Sequence, residues 1–269
     1  MITHNFDPVL IDFGLFQIRW YSIAYIAGIA LGWIYAIKII NKTKNNQYNF
    51  QSITIEQFDK LITYLIIGVV VGGRLGYVFF YNFQFFFLNP LEILKIWEGG
   101  MSFHGGLFGV IVSTILFSKI NKNNFFKLAD LICCVAPIGI FLGRIANFIN
   151  GELVGKITNV PWAVIFSTEE NIGRHPSQIY EAALEGVLLF IIINFLALNK
   201  KKLFQVGYIS GIFLILYSIL RIISEIFREP DVHIGYIYNY LSMGSFLSLF
   251  TLIAGFLVIF FNKKNERNN

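Results

Sequence analysis

Residues 128–155 read LADLICCVAPIGIFLGRIANFINGELVG, an apolar run that ends in a dense group of polar side chains. One charged residue interrupts the first fifteen positions, whereas four polar or charged residues then follow within nine positions of one another. These four are Arg144, Asn147, Asn150 and Glu152. The apolar part is long enough to form most of a membrane-crossing helix, which needs about 20 residues. At its polar end this helix either has reached water or meets a polar molecule near the membrane surface.

The composition of the whole chain indicates a membrane protein. Of its 269 residues, 56% are hydrophobic and 14% are charged, and the mean hydropathy is +0.64. A soluble domain has about 25% charged residues. The apolar residues fall into separate blocks, and a helix satisfies its own backbone hydrogen bonds in lipid. The sequence therefore predicts an all-α polytopic membrane protein with seven spans, at approximately 20–40, 61–81, 103–120, 128–149, 179–198, 207–227 and 242–262.

No internal repeat and no Ser/Pro-rich linker divides the chain, so one integral membrane domain over residues 1–269 is expected. The stretch NKTKNNQYN at 41–49 is typical of a solvated cytoplasmic loop, and the largest outside loop is expected at approximately 150–176.

The basic residues predict the orientation of the spans. If the spans alternate in direction, 13 of the 21 lysine and arginine residues lie on one side of the membrane. That side is cytoplasmic by the positive-inside rule, which places the N-terminus outside and the C-terminus inside. The net charge of +5 then reflects topology. No basic surface with interleaved aromatic residues is present, so nucleic acid is not an expected partner.

The two cysteines suggest neither a disulfide nor a metal site. Cys133 and Cys134 are adjacent within an apolar span, which suits neither an ordinary disulfide nor a zinc-binding spacing. We interpret both as small packing residues. No metal and no soluble cofactor is expected.

Ionisable residues within the sixth span form one helix face. Tyr217, Arg221, Glu225 and Arg228 are spaced at i, i+4, i+8 and i+11. Arg221 and Glu225 can pair, which reduces the cost of placing each charge in an apolar span. A structural ion pair with Arg228 extending to the interface is one reading. A functional site is the other, because charges at membrane depth cost about 2.5–3.5 kcal/mol each at a helix centre.

Further polar residues lie at the outer ends of other spans. In HPSQIYEAALEG, Gln178, Glu181 and Glu185 share one face. In EGGMSFHGGLFG, His104 stands between two glycine pairs, where another group can approach the backbone closely. Arg74 lies mid-span in VGGRLGY, and the sequence does not place it with the others.

Arginines balanced by glutamates near the outer leaflet predict a cationic pocket. A guanidinium is always charged and recognises phosphate through a planar fork of donors. A pocket of this kind at headgroup depth favours the phosphate of a phospholipid as its ligand.

The same residues resemble the prolipoprotein diacylglyceryl transferases, a family of bacterial inner-membrane enzymes. GRIANFINGELVG at 143–155 is similar to the defining motif of that family, with seven fixed positions within thirteen residues. FHGGLFG, HPSQIYEAALEG, RIISEIFREPD and IRWYSIAY follow the family in the right order, so the resemblance covers essentially the whole chain. Val154 and Lys156 depart from the commonest residues of the motif, an aromatic and an arginine.

The resemblance implies a multi-pass enzyme with its active site toward the periplasm. Such an enzyme moves the diacylglyceryl group of phosphatidylglycerol to the lipobox cysteine of a prolipoprotein signal peptide, releases glycerol phosphate and forms a thioether. His104 is then the candidate base for the thiol, and Arg144 and Arg221 are the candidate carriers of phosphate stabilisation. The other residues assigned to phosphatidylglycerol binding are Tyr21, Asn147, Asn150, Glu152, Gly155 and Glu225. Supporting roles are assigned to Arg74, Glu181, Tyr217 and Arg228.

Two other functions remain open at the level of the residues. A lipid or anion transporter would also carry arginines, but here the charges gather near the outer face and do not continue across the membrane. Paired broken helices, which accompany alternating access, are not visible either. A non-catalytic membrane scaffold would leave the buried arginines without a purpose.

Overall fold

The structure is a computed structural model that describes residues 2–14, 17–44, 53–96, 99–167, 171–230, 235–237 and 240–268. Within these ranges, seven helices are long and apolar enough to cross a membrane, which confirms the predicted number of spans. The helices are α1 (Trp20–Lys44), α2 (Ile55–Tyr81), the short α3 (Phe83–Leu88), α4 (Phe103–Ile120), α5 (Phe125–Asn150), α6 (Ser177–Glu181), α7 (Leu189–Asn194), α8 (Tyr208–Glu225) and α9 (Met243–Asn268). A π-helical turn at Ala182–Leu188 joins α6 to α7, and a second at Phe195–Asn199 extends α7. Together they form the fifth span, Ser177–Asn199.

The ends of two helices differ from the predicted limits because polar caps extend them. α2 begins at Ile55, before the predicted residue 61, where the Thr54 hydroxyl accepts from the Gln57 N–H (3.2 Å) and the Gln57 side chain accepts from the Thr54 N–H (3.1 Å). α5 begins at Phe125, because the Asn124 side chain accepts from two backbone N–H groups of the first turn. Of the loop predicted at 41–49, residues 41–44 instead form the end of α1, and the rest lies outside the described residues.

Short strands lie outside the spans, and the all-α prediction did not anticipate them. They are β1 (Ile2–His4), β2 (Val9–Asp12), β3 (Gln17–Arg19), β4 (Val164–Phe166), β5 (Gly173–Arg174), β6 (Tyr236–Ile237) and β7 (Leu241–Ser242). β1 pairs in parallel with β4, which pairs antiparallel with β5, while β2–β3 and β6–β7 are hairpins. Extended segments pair in this way because their backbone polar groups need partners. The fold is therefore mostly helical rather than entirely helical.

The chain divides into two compact units, and each is described by itself. Ile39–Ala129 form the second unit, and Met1–Lys38 with Asp130–Asn269 form the first. The prediction of one membrane domain over residues 1–269 stays a prediction.

The second unit is built on α2 and α4, whose backbones touch through glycines. A Cβ at Gly72 would lie 2.9 Å from the Cα of Gly109, and a Cβ at Gly76 would lie 2.7 Å from the Cα of Gly105. Small residues permit this close approach, which is typical of helix pairs in membranes.

The first unit contains α5 from Asp130 onward, the fifth span, α8 and α9, and buried polar contacts fix one end of it. The carboxylate of Asp130 on α5 accepts hydrogen bonds from the backbone N–H groups of Gly207 and Ser210 at the start of α8, each at 2.7 Å. Asn194 donates to the Cys134 carbonyl (2.9 Å), which joins the fifth span to α5. Of the polar residues singled out in the sequence, Arg144, Glu181 and Arg221 lie toward the other end of these helices.

Candidate functional site

Six ionised side chains meet at the ends of α5, the fifth span and α8. We call this group the ionic cluster, and its members are Arg144, Glu181, Glu185, Arg221, Glu225 and Arg228. Three cations and three anions give the cluster no net formal charge, so the cluster does not carry the net positive charge that was predicted for the pocket. The side chain of Arg144 is 16% exposed, whereas the other five are more completely buried. Burying charges costs several kcal/mol per ion, so this arrangement depends on pairing.

Glu181 is the carboxylate that joins the three arginines. Its Oε2 lies 3.0 Å from Nη1 of Arg144, an ion pair whose N–H direction does not fit a hydrogen bond. Its Oε1 lies 2.7 Å from Nη1 of Arg221 and 3.3 Å from Nη1 of Arg228. The side chain is completely buried, so these arginines replace the water that would otherwise solvate the anion.

Glu185 lies one turn further along the fifth span and is held from both sides. Its Oε2 accepts from Nη2 of Arg144 (3.1 Å), and its Oε1 accepts from Nη1 of Arg221 (3.2 Å) and from the Ser224 hydroxyl (2.9 Å). Arg221 therefore reaches Glu181 and Glu185 with one nitrogen and Glu225 with the other. The predicted Arg221–Glu225 pair is present within α8.

Close helix packing brings these side chains together. Gly186 directly follows Glu185, and a Cβ at Gly186 would lie 2.7 Å from the Cβ of Phe141 on α5. Arg144 is three residues beyond Phe141, so this approach brings it to the glutamates of the fifth span. The π-helical turn Ala182–Leu188 changes the helix winding between Glu181 and α7, a feature frequent at functional sites.

A Schellman turn at the end of α5 positions Glu152. The Gly151 N–H donates to the Phe148 carbonyl (3.0 Å) and the Glu152 N–H donates to the Asn147 carbonyl (3.0 Å), with Gly151 at φ +66°. The Glu152 carboxylate is exposed, and it accepts from the side chains of Asn147 (3.3 Å) and Asn150 (3.0 Å). Among the described residues, no cation lies within ion-pair distance of Glu152.

Buried polar groups hold the chain beyond this turn. The Gln178 amide donates to the Glu152 carbonyl (2.5 Å), and the Ser177 hydroxyl donates to the Leu153 carbonyl (2.9 Å). Leu153 has a φ of +56°, so the backbone takes a second left-handed step next to Glu152. The backbone around this carboxylate is consequently fixed on both sides.

Gly155 lies where backbone segments cross, and its link to the ionic cluster is an antiparallel backbone bridge to Arg228. Its N–H donates to the His175 carbonyl (3.0 Å), and a Cβ would lie 2.8 Å from the Phe227 carbonyl oxygen. Its neighbour Lys156 donates from Nζ to the Ile226 carbonyl (2.8 Å), which satisfies a carbonyl at the C-terminal end of α8.

An aromatic group at the start of the fifth span supports this crossing. His175 Nδ1 lies 3.2 Å from the Tyr180 hydroxyl, which also accepts from the Trp162 indole (2.7 Å). Burial lowers the pKa of His175 below its ordinary value, and the charge of Lys156 lowers this pKa further.

The two tyrosines of the predicted site lie in different surroundings. Tyr217 lies on α8 one helical turn before Arg221, and its ring stacks on that of Phe213 with centroids 6.0 Å apart. The ring of Tyr21 packs against that of Tyr25, with centroids 5.1 Å apart. No hydrogen bond or ion pair between described residues joins Tyr21 to the ionic cluster.

His104 belongs to the second unit, where it is the exposed second residue of α4. The Ser102 hydroxyl caps this helix by accepting from the Gly105 N–H (3.2 Å). The glycines beside His104 were predicted to allow close approach, and for Gly105 the approaching backbone is that of Gly72 and Gly76 on α2.

Arg74, also in the second unit, folds a loop of its own chain. Its five N–H donors are all used by backbone carbonyl groups. The acceptors are Glu92 (2.6 Å), Ile93 (2.9 Å), Lys95 (3.2 Å), Gly99 (2.5 Å) and Gly100 (3.2 Å). The guanidinium also lies 5.0 Å from the ring centroid of Phe86. Arg74 is therefore a loop-organising residue.

Two residues of this site, Glu185 and Ser224, were given no role from the sequence. Glu185 shares a face with Glu181, and this spacing was the signal that pointed to it. Ser224 follows Arg221 at i+3, but a serine within a span has too many ordinary uses to be singled out.

Comparison with known proteins gives consistent matches over the full chain. Residues 8–261 match the family described as prolipoprotein diacylglyceryl transferase. A phosphatidylglycerol–prolipoprotein diacylglyceryl transferase of Rickettsia typhi is 50% identical over 265 residues, which cover 98% of this chain and 100% of the relative. Proteins of the same name from Rickettsia felis and Rickettsia bellii are 50% and 49% identical, each over 259 residues and 96% of this chain, covering 98% and 96% of the relatives.

Proposed function

This chain belongs to the prolipoprotein diacylglyceryl transferase family, and from that premise we propose which residues carry the reaction and on which side of the membrane they act. The protein is a multi-pass membrane transferase that moves the diacylglyceryl group of phosphatidylglycerol to a prolipoprotein. Within the proposal, the acceptor is the thiol of a lipobox cysteine in the prolipoprotein signal peptide. The products are a thioether and glycerol phosphate.

The reaction requires stabilisation of a departing phosphate. The thiol loses its proton, the sulfur forms a bond to a glyceryl carbon, and the C–O bond to phosphate takes its electron pair to the leaving group. Negative charge on the phosphate therefore increases in the transition state. Donors aimed at that position bind the transition state more tightly than the ground state, which lowers the barrier.

Arg144 is the residue that we place on the phosphate. The observation that supports this most strongly is the 16% exposure of its side chain within a cluster whose other members are more deeply buried. Its guanidinium is already oriented by Glu181 and Glu185, so its remaining donors do not have to be ordered when the lipid binds.

Arg221 then acts mainly indirectly, through the carboxylates that it shares with Arg144. Because it is paired with three carboxylates, it has little freedom to turn toward a ligand. The positive charge of Arg221 nevertheless offsets the negative charges of Glu181 and Glu185. These two carboxylates therefore do not fully neutralise the charge of Arg144. This refines the expectation that both arginines hold the phosphate.

Glu152, with Asn147 and Asn150, is proposed to bind the glycerol headgroup. The two amides orient a carboxylate that has no cation partner among the described residues, so its free lone pairs can accept from the hydroxyl groups of the headgroup. Gly155 and Glu225 support this site through the backbone and through Arg221, respectively.

His104 is retained as the proposed acceptor of the thiol proton, because a neutral imidazole accepts protons near neutral pH. Tyr21 is retained as a proposed source of a hydroxyl group at the outer end of α1.

We propose that the site faces the periplasm, in the inner membrane of a bacterium, with the N-terminus outside and the C-terminus in the cytoplasm. Two observations support this orientation. β1 pairs with β4 of the loop at 150–176, so the N-terminal segment and this loop lie on the same side. Thirteen basic residues are expected on the other side, which is cytoplasmic by the positive-inside rule. Reporters inserted near Asn159 and fused after residue 269 should read opposite sides, and the same reading from both would refute this topology.

The function is tested with purified protein, phosphatidylglycerol and a synthetic lipobox peptide. The expected result is a gain of one diacylglyceryl group in the mass of the peptide, located on its cysteine. A peptide in which serine replaces that cysteine is the matched control and should remain unmodified. No mass gain on the cysteine peptide would contradict the proposed reaction.

A further inference from the structure

Gly244, in the first turn of α9, touches the Arg221–Glu225 pair. A Cβ built on Gly244 would lie 2.7 Å from Cδ of Glu225, closer still to Oε1, and 3.3 Å from Nη2 of Arg221. Real Cβ atoms essentially never approach another heavy atom within 3.0 Å, so a side chain at this position would displace the carboxylate. Because Gly244 has no side chain, the carboxylate of Glu225 can occupy the space beside it.

The rest of α9 explains why the helix lies so close. Gly244, Ser248, Thr251 and Gly255 are spaced at i, i+4, i+7 and i+11, which places them on one face. Thr251 contacts the Ser218 hydroxyl of α8 at 2.5 Å, and a Cβ at Gly255 would lie 2.8 Å from the carbonyl oxygen of Gly211 on α8. Small residues on this face bring the two helices together.

The first turn of α9 also suits a neighbouring anion. The Ser242 hydroxyl accepts from the Ser245 N–H (3.1 Å), which marks the beginning of the helix. The first turn of a helix carries partial positive charge, which attracts a carboxylate such as that of Glu225. α9 therefore limits where Glu225 can lie, and Glu225 in turn holds one nitrogen of Arg221.

We propose that Gly244 is a positioning residue for diacylglyceryl transfer, which sets the place of Arg221 through Glu225. The inference rests on the proposed function, because it concerns the ionic cluster from which Arg144 faces the phosphate. It assigns a role in the reaction to α9, which otherwise contributes none of the six charges.

Gly244→Ala tests this inference, since alanine is well tolerated in a helix and adds only the Cβ. We expect kcat to fall on the order of 10- to 100-fold, because a displacement of about 1 Å in a positioning group has effects of this size. KM for phosphatidylglycerol should change little, because Arg144 and Glu152 are not displaced directly. A role in helix packing alone would lower the melting temperature without this effect on kcat.

Glu225→Asp provides the specific rescue. Aspartate is shorter by one methylene group, so it leaves room for the methyl group that Gly244→Ala adds. The double variant should have a higher kcat than the product of the two single effects predicts, which is the sign of coupled positions.

Gly255→Ala is the matched control on the same face of α9. Its Cβ would meet the α8 backbone at Gly211 and the side chain of Ile215, far along the helix from the ion pair. We expect a lower melting temperature, unchanged kcat per folded molecule and no rescue by Glu225→Asp.

The outcomes separate the inference from the function on which it rests. A wild-type protein that transfers no diacylglyceryl group would refute the proposed function. An active wild-type protein with wild-type kcat in Gly244→Ala, or a loss that Glu225→Asp does not relieve, would overturn the role of Gly244. If Gly244→Ala is not recovered folded, the double variant decides: a folded, active double variant supports the role, and an unfolded one refutes it.

Discussion

Glu181→Gln should destabilise the protein strongly, because this carboxylate is completely buried and pairs with three arginines. The substitution keeps the shape of the side chain but leaves the ionic cluster with three cations and two anions. The nearest nitrogen atoms of Arg144, Arg221 and Arg228 lie 3.0, 2.7 and 3.3 Å from the carboxylate oxygens. Removing one partner of a buried ion pair costs about 3–5 kcal/mol. For a chain of this size, that corresponds to a decrease in melting temperature of roughly 6–20 °C.

The assay is thermal unfolding of detergent-purified protein, followed by intrinsic fluorescence and by loss of monodispersity. Glu56→Gln is the matched control, because Glu56 forms an i,i+4 pair with Lys60 at 2.8 Å that is largely exposed. Exposed pairs of this kind contribute little, so the control should melt like the wild-type protein. A shift for Glu181→Gln no larger than that of the control would refute the idea that Glu181 holds the ionic cluster together.

Three further predictions concern residues outside this cluster. Arg74→Lys should lower the melting temperature and make the loop at 89–102 more sensitive to protease. The reason is that a lysine has three N–H donors for the five carbonyl groups that Arg74 binds. A variant as stable as the wild-type protein would refute the loop-organising role. His104→Gln should lower the turnover rate more than it lowers the affinity for the lipid. The loss of turnover should be smaller at higher pH, where the peptide thiol is already ionised. Unchanged turnover at neutral pH would remove His104 from the reaction. The pKa of His175 is lower in the folded protein than in the unfolded chain, so the unfolded chain binds a proton first as the pH falls. The contribution of His175 to the free energy of unfolding is therefore complete above about pH 6.5 and is lost as the pH falls toward the folded-state pKa. His175→Gln should flatten this part of the melting temperature–pH curve, and an unchanged curve would contradict the assignment.

The number of spans could be predicted because lipid imposes a strong local requirement. Each span needs about 20 apolar residues, and the chain has seven such blocks. The start of α2 could not be found in the same way, because its first turn is polar and is held by the Thr54–Gln57 cap. The strands were missed since segments of two to four residues carry no usable periodicity, and β1 pairs with a strand that lies far away in the sequence.

The site was predictable where its contacts stay within one helix. The i,i+4 spacing of Arg221 and Glu225 predicts their pair directly. The contacts of Arg144 depend instead on how closely α5 approaches the fifth span, which is decided by the packing of Gly186 on Phe141. Such a long-range contact has no local sequence signal.

Arg74 and Gly155 illustrate a second limit. A buried arginine can bind a ligand, pair with a carboxylate or donate to carbonyl groups, and its neighbours in the sequence do not distinguish these uses. The structure shows that Arg74 donates to backbone carbonyls. A glycine such as Gly155 can likewise make room either for a ligand or for another backbone segment. Here the backbone of His175 and Phe227 occupies the space beside it.

The decisive measurement uses variants of Arg144. It follows the transfer of a labelled diacylglyceryl group from phosphatidylglycerol to a lipobox peptide. Arg144→Ala should lower the rate on the order of 10²–10³-fold, as expected for the loss of a donor that stabilises developing charge. Arg144→Lys should restore only part of the rate, because it keeps the charge but loses the bidentate fork. Arg19→Ala, at an exposed arginine of β3, is the control and should retain the wild-type rate. A folded, monodisperse Arg144→Ala protein with a near wild-type rate would contradict the assignment of Arg144 to the departing phosphate.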